Sequence, residues 1–161
     1  MFNKNKSIKE NMRDEIEDII KSQNIDRARF HEFDKRRYNE IIKKFYYAFF
    51  DYEKFKTISL NYLWLKVRGD IELQIIQCSL SCDWEEYISK IKEYFCDDDK
   101  TYYLILSQGW VYEGYISEIQ KVLYETTTLL VDFYIVSKKF DKAICHCDDG
   151  ECLSMMCFKN K

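Results

Sequence analysis

The chain contains no proline, only four glycines in 161 residues and only two histidines. Turns must therefore be built from Asp, Asn, Ser and the few glycines, which makes each glycine informative. With two histidines available, a cysteine nucleophile has few ways to find an imidazole base. Long apolar runs are missing too: nothing approaches the roughly 18 residues of a membrane span, and the charged start MFNKNKSIKE has no apolar stretch behind it, so neither a span nor a signal peptide is expected. There is no glycine-rich phosphate loop, no GxSxG elbow and no HExxH, which removes support for phosphate-binding, hydrolase and zinc-protease readings. Repeats, low-complexity segments and linkers are absent as well, so residues 1–161 read as one domain of a size that should bury roughly 70% of its unfolded surface.

What is present fits a soluble globular protein. At 47% hydrophobic and 33% charged residues, the chain is too apolar for disorder and too evenly charged for a membrane protein. Seven cysteines are an odd number, which argues against a fully paired disulfide framework, and without an export signal they belong in a reducing, cytoplasmic compartment. The net charge of −3 is unevenly spread: residues 1–56 carry 14 Lys/Arg against 11 Asp/Glu, and residues 57–161 carry 11 against 17. An acidic C-terminal part repels nucleic acid and suits a basic protein partner through electrostatic steering.

Periodicity supplies the elements. Ser7 and Glu10 form a capping box ahead of a stripe of Ile8, Met12, Ile16 and Ile19, which predicts a helix over 8–22. Phe30, Phe33, Tyr38, Ile41, Phe45 and Phe49 predict a second, longer helix, broken near Asp34; the same spacing makes KKFYYAFF core rather than a nucleic-acid surface. Alternation from Ile58 to Trp64 predicts a strand, with a buried helix through NYLWLKV as the alternative, then a turn at Arg68-Gly69-Asp70 and a second strand in IELQIIQ. CDWEEYISKIKEYF is a helix capped by Asp83 and Glu86, TYYLILS a strand, SQGWVYEG a loop with exposed-looking aromatics, and GYISEIQKVLYE a helix with Ile116, Ile119, Val122 and Leu123 inward. VDFYIVS is a strand. KAICHC, DDG and ECLSMMCF make a C-terminal β-hairpin. The expected fold is α+β, with N-terminal helices packed on a mostly antiparallel sheet.

The stretch AICHCDDGEC carries the densest chemistry. Asp149-Gly150 suits a type I′ turn, and counting outward sets Cys147 opposite Cys152, His146 opposite Leu153 and Cys145 opposite Ser154. Alternation then gathers Cys145, Cys147, Cys152 and Ser154 on one face and sends Ile144, His146, Leu153 and Met155 to the other. His146 thus points away from the thiols it would join in a zinc site, which favours buried cysteines over a metal centre. Cys147 and Cys152 could be oxidised as a cross-strand pair, although Asp148 and Asp149 raise rather than lower a thiol pKa. No cofactor is expected.

Asp97, Asp98 and Asp99, and Asp148, Asp149 and Glu151, are turn residues or an acidic surface for a basic partner. Trp110 and Tyr112 are either exposed contact aromatics or a lid over the core. The segment VLYETTTLLVDFYIVSKKFDKAICHCDDG is similar to the C-terminal part of small bacterial proteins, some of them polymorphic-toxin immunity proteins of the SMI1/KNR4-like type. The resemblance spans roughly residues 101–152, and departs where Lys142-Ala143 replaces a frequent tryptophan and Cys147 a polar residue. It implies a non-catalytic, cytoplasmic α+β module that binds another protein, a toxin in the immunity case; the acidic clusters and loop aromatics then offer Asp97–Asp99, Trp110, Tyr112, Asp148, Asp149 and Glu151 as the surface that captures a basic toxin. The alternative is a metal- or thiol-dependent protein built on Cys145, Cys147 and Cys152.

Overall fold

In a computed structural model, residues 8–51, 54, 60, 63–78, 82–126, 132–147 and 152–159 are described. The elements run α1 (Ile8–Ser22), β1 (Phe30–Glu32), α2 (Tyr38–Phe49), β2 (Ile71–Cys78), α3 (Trp84–Ser89), α4 (Ile91–Tyr94), β3 (Thr101–Leu106), β4 (Val111–Tyr115), α5 (Ile116–Glu125), β5 (Phe133–Ser137), β6 (Lys142–Cys147) and β7 (Cys152–Phe158). The seven strands form one sheet in the order β1-β4-β3-β5-β6-β7-β2, every neighbouring pair antiparallel. The fold is α+β, as expected.

Successive strand residues point to opposite faces, and here both faces are covered. Tyr102, Leu104, Leu106, Phe133, Ile135, Ile144 and Leu153 meet α1, α3, α4 and α5 in one core. Tyr103, Ile105, Tyr134, Val136, Ala143, Cys145 and Met156 meet α2 in a second. The two N-terminal helices therefore lie on opposite sides of the sheet, and β3 and β5 are buried along nearly their whole length. Helix α1 buries Met12, Ile16, Ile19 and Ile20, and α2 buries Tyr38, Ile41, Phe45 and Phe49. In α5 the four expected residues are all inside. Asp83 caps α3 through the Glu86 amide at 2.8 Å, while Ser7 of the other capping box lies outside the described residues.

Three expectations need correction. The second, longer helix expected through Phe30 to Phe49 begins only at Tyr38: near the expected break Asp34 accepts from the Arg36 amide and caps a 3₁₀ turn, and Phe30–Glu32 upstream is an edge strand. Phe30 and Phe33 mimic helical spacing, but the Phe33 amide donates to Val111 O and the Tyr115 amide to Arg29 O, so sheet pairing wins over the local pattern. Much of the strand expected from Ile58 lies outside the described residues, and Leu63–Lys66 is a 3₁₀ turn, closer to the helical alternative. The expected loop SQGWVYEG is instead a turn at Gly109, with φ of +92°, followed by β4.

Gly114 in β4 has a packing role. A Cβ there would sit 2.6 Å from Phe30 Cδ2 and 2.9 Å from Arg29 O, so only glycine lets β1 close on β4. Gly114→Ala is expected to lower stability by about 2 kcal/mol, read as a lower urea midpoint with an unchanged slope.

Candidate functional site

The C-terminal hairpin has the register that counting gives: Cys147 pairs with Cys152, His146 with Leu153, Cys145 with Ser154 and Ile144 with Met155. His146 is buried on the α1/α3/α5 side, where Phe133 stacks on its ring at 5.0 Å, Trp84 meets it edge-on and Nδ1 lies 2.7 Å from the Tyr87 hydroxyl. The imidazole is part of the core. Cys145 lies in the opposite core, and burial pushes its thiol pKa up, away from nucleophilic or ligating use. Strand order adds a neighbour that hairpin counting does not supply: Cys78 of β2 pairs with Cys152, so Cys147, Cys152 and Cys78 form a row across three strands. Among the described residues no three His, Cys, Asp or Glu side chains converge to hold a metal ion.

The proposed contact residues that are described do not form one surface. Asp97, Asp98 and Asp99 follow α4 and precede β3, while Trp110 stands at the far end of that strand, about 17 Å away along five residues of rise. Asp97 pairs with Lys100, and Asp98 reaches Lys92 at 3.9 Å. Asp99 borders a cleft of about 550 Å³ whose other wall, the β5–β6 turn, brings Lys138, Lys139, Asp141 and Lys142. Lysines thus offset much of the acidic cluster. Tyr112 is fully buried, stacked on Phe30 at 5.3 Å, which makes it core rather than a contact aromatic. Trp110 is half-buried, edge-on to Tyr38 and flanked by Arg13 and Lys35. Asp148, Asp149 and Glu151 lie outside the described residues.

Two features were not anticipated. The first is a polar knot at the β1 edge. Arg13 of α1 grips the Glu32 carboxylate of β1 through Nη2 at 2.7 Å and Nε at 3.1 Å, and the Tyr38 hydroxyl of α2 donates to the same group. Burial alone would raise the Glu32 pKa, but the hydrogen bonds from Arg13 and Tyr38, with the charges of Arg13 and Lys35, outweigh it and hold the carboxyl below its usual range. The second is the outer edge of the sheet. Strand β2 has no strand on its outer side among the described residues, and on or beside it Leu73, Ile75 and Phe158 are 37%, 63% and 42% exposed. Its eight residues include one charge, Glu72.

The architecture defines an α+β protein with a fully antiparallel seven-stranded sheet covered by helices on both faces. Within that class, the chain belongs to a family of unknown function (DUF6756), matched over residues 8–160. No curated protein and no solved structure matches it. No helix among the described residues is long and apolar enough to cross a membrane.

Because its pKa is depressed in the folded state, Glu32 contributes stability that is present above the unfolded carboxyl value, about 4.3, and lost as pH falls through the folded value. Glu32→Gln should therefore cost about 2 kcal/mol at pH 7, with the gap to wild type narrowing below pH 4 or so in urea melts taken across pH. The buried Tyr112 hydroxyl has no hydrogen-bond partner among the described residues. Tyr112→Phe should be neutral or stabilising by up to about 1 kcal/mol; a clear loss in thermal stability would show that the hydroxyl is satisfied.

Proposed function

We propose that this chain is a non-catalytic protein-binding module, a cytoplasmic immunity-type protein of a bacterium whose partner is a basic toxin. The observation that carries the reading is the β2 edge. It is a long, nearly uncharged strand with Leu73, Ile75 and Phe158 exposed on or beside it, and among the described residues the one other exposed large apolar side chain is Tyr47. An extended segment of a partner adds to such an edge through main-chain hydrogen bonds, and alternate side chains then supply specificity. Native proteins often blunt an edge of this length with lysine or a covering element; Ile71–Cys78 contains no lysine, and the irregularity between Ile75 and Gln77 interrupts its pairing with β7 without removing the exposed apolar side chains.

Further support comes from what the candidate chemistry does instead. His146 is enclosed by Trp84, Tyr87 and Phe133, and Cys145 is a core thiol, so neither is presented to a substrate. Asp98 and Asp99 are exposed, and the excess of acidic over basic residues in 57–161 steers a cationic partner from a distance.

Co-expression with the product of a toxin-like gene, should one lie beside the gene for this chain, provides the test. Wild type should co-purify with it and rescue growth, and Leu73→Lys with Ile75→Lys should weaken the complex at least tenfold while leaving the melting temperature of the free protein nearly unchanged. Asp98→Asn with Asp99→Asn should slow association and flatten its salt dependence. Absence of a complex, or full binding by the double-lysine variant, would remove the reading.

A further inference from the structure

Cys78 and Cys152 sit directly opposite one another on β2 and β7, with their sulfurs 3.1 Å apart. Directly opposed residues of antiparallel strands have Cα atoms about 4.5–5.5 Å apart, inside the span of roughly 4.4–6.8 Å that disulfides bridge. Closing the contact to a bond of about 2.05 Å thus needs side-chain rotation and little backbone movement. Both residues are partly exposed, so a small oxidant can reach them, whereas Cys147 on the other side of Cys152 is buried. Cys82, the nearest remaining cysteine in sequence, directs its sulfur at the Cys78 carbonyl, 3.7 Å away.

We propose that Cys78 and Cys152 form a modification site, a dithiol that hydrogen peroxide or a low-molecular-weight disulfide converts to an intramolecular disulfide. With peroxide, one sulfur attacks the O–O bond and becomes a sulfenic acid as the first water leaves. The second thiol attacks that sulfur, the S–S bond forms and the second water departs. The peroxide accepts the two electrons, and both thiol protons end in water. With oxidised glutathione, one thiol first forms a mixed disulfide and releases a glutathione thiol; the second thiol then displaces the other glutathione. The bond would join residues 74 positions apart and staple the outer strand to β7 just beyond the irregularity between Ile75 and Gln77. Constraining the unfolded chain in this way raises the stability of the oxidised form. The proposal stands whether or not β2 binds a partner.

The test begins with reduced full-length protein, which carries seven thiols. A slight excess of hydrogen peroxide, or oxidised glutathione, should remove two thiols in a denatured titration, lower the mass by two hydrogens and raise the melting temperature. Cys82→Ser and Cys147→Ser should keep this response, and Cys78→Ser and Cys152→Ser should each abolish it. Linkage mapping of the oxidised wild type avoids any variant that misfolds: chymotryptic cleavage after Leu80 separates Cys78 from Cys82, and Asp-directed cleavage separates Cys147 from Cys152. A Cys78–Cys152 cross-link supports the site. A thiol count that stays at seven, a Cys147–Cys152 link, or a response that survives in Cys78→Ser or Cys152→Ser overturns it.

Discussion

The structure depends on one constraint: a sheet whose two faces are both covered cannot spare either set of alternating side chains. Every central strand must then supply apolar residues in both directions, which is why TYYLIL and FYIVS read as near-continuous apolar runs rather than as alternating ones. The same constraint explains the fate of Cys145 and His146. On a covered sheet each is enclosed by one core or the other, so their chemistry is set by packing partners: aromatic rings around the imidazole and aliphatic or aromatic neighbours around Cys145.

The polar knot at Glu32 is what joins the layers at one margin. Arg13 comes from the helix on one face, Tyr38 from the helix on the other, and Glu32 from the strand between them, so a single carboxylate registers three elements. A charged group in this position is stabilising only because its hydrogen bonds are complete, and loss of one partner would strand the others in a poorly solvated site. Gly114 acts in the same neighbourhood by different means, letting β1 approach closely enough for Glu32 to be reached from both sides.

Much of this was legible in the sequence where the signal was local. Helix α1, the inward stripe of α5 and the register of the last hairpin follow from periodicity and one Asp-Gly turn, because each depends on neighbours within a few residues. The failures have a common physical origin. Phe30 and Phe33 carry helical spacing, yet pairing of Phe30 with Gly114 and the bond from the Phe33 amide to Val111 O, both with the distant strand β4, decide their conformation. Gly109 and Gly114 look alike as loop markers, and only the first occupies a turn; the second makes room for a strand. The candidate site suffered in the same way. The lysines facing Asp99 come from a distant turn, Tyr112 is covered by Phe30, and the contact between Cys78 and Cys152 exists only because β2 lies beside β7 in the sheet order.

The two margins of the sheet are unlike. At one, β1 is three residues long and bounded by the Arg13–Glu32 pair; at the other, β2 offers eight residues with apolar side chains exposed. A strand added at β2 therefore finds no equivalent platform at the opposite margin on which a further strand could be laid. Under the proposed docking at β2, growth by edge addition would end after one step, giving one docked strand per chain or a closed pair rather than an open-ended fibre.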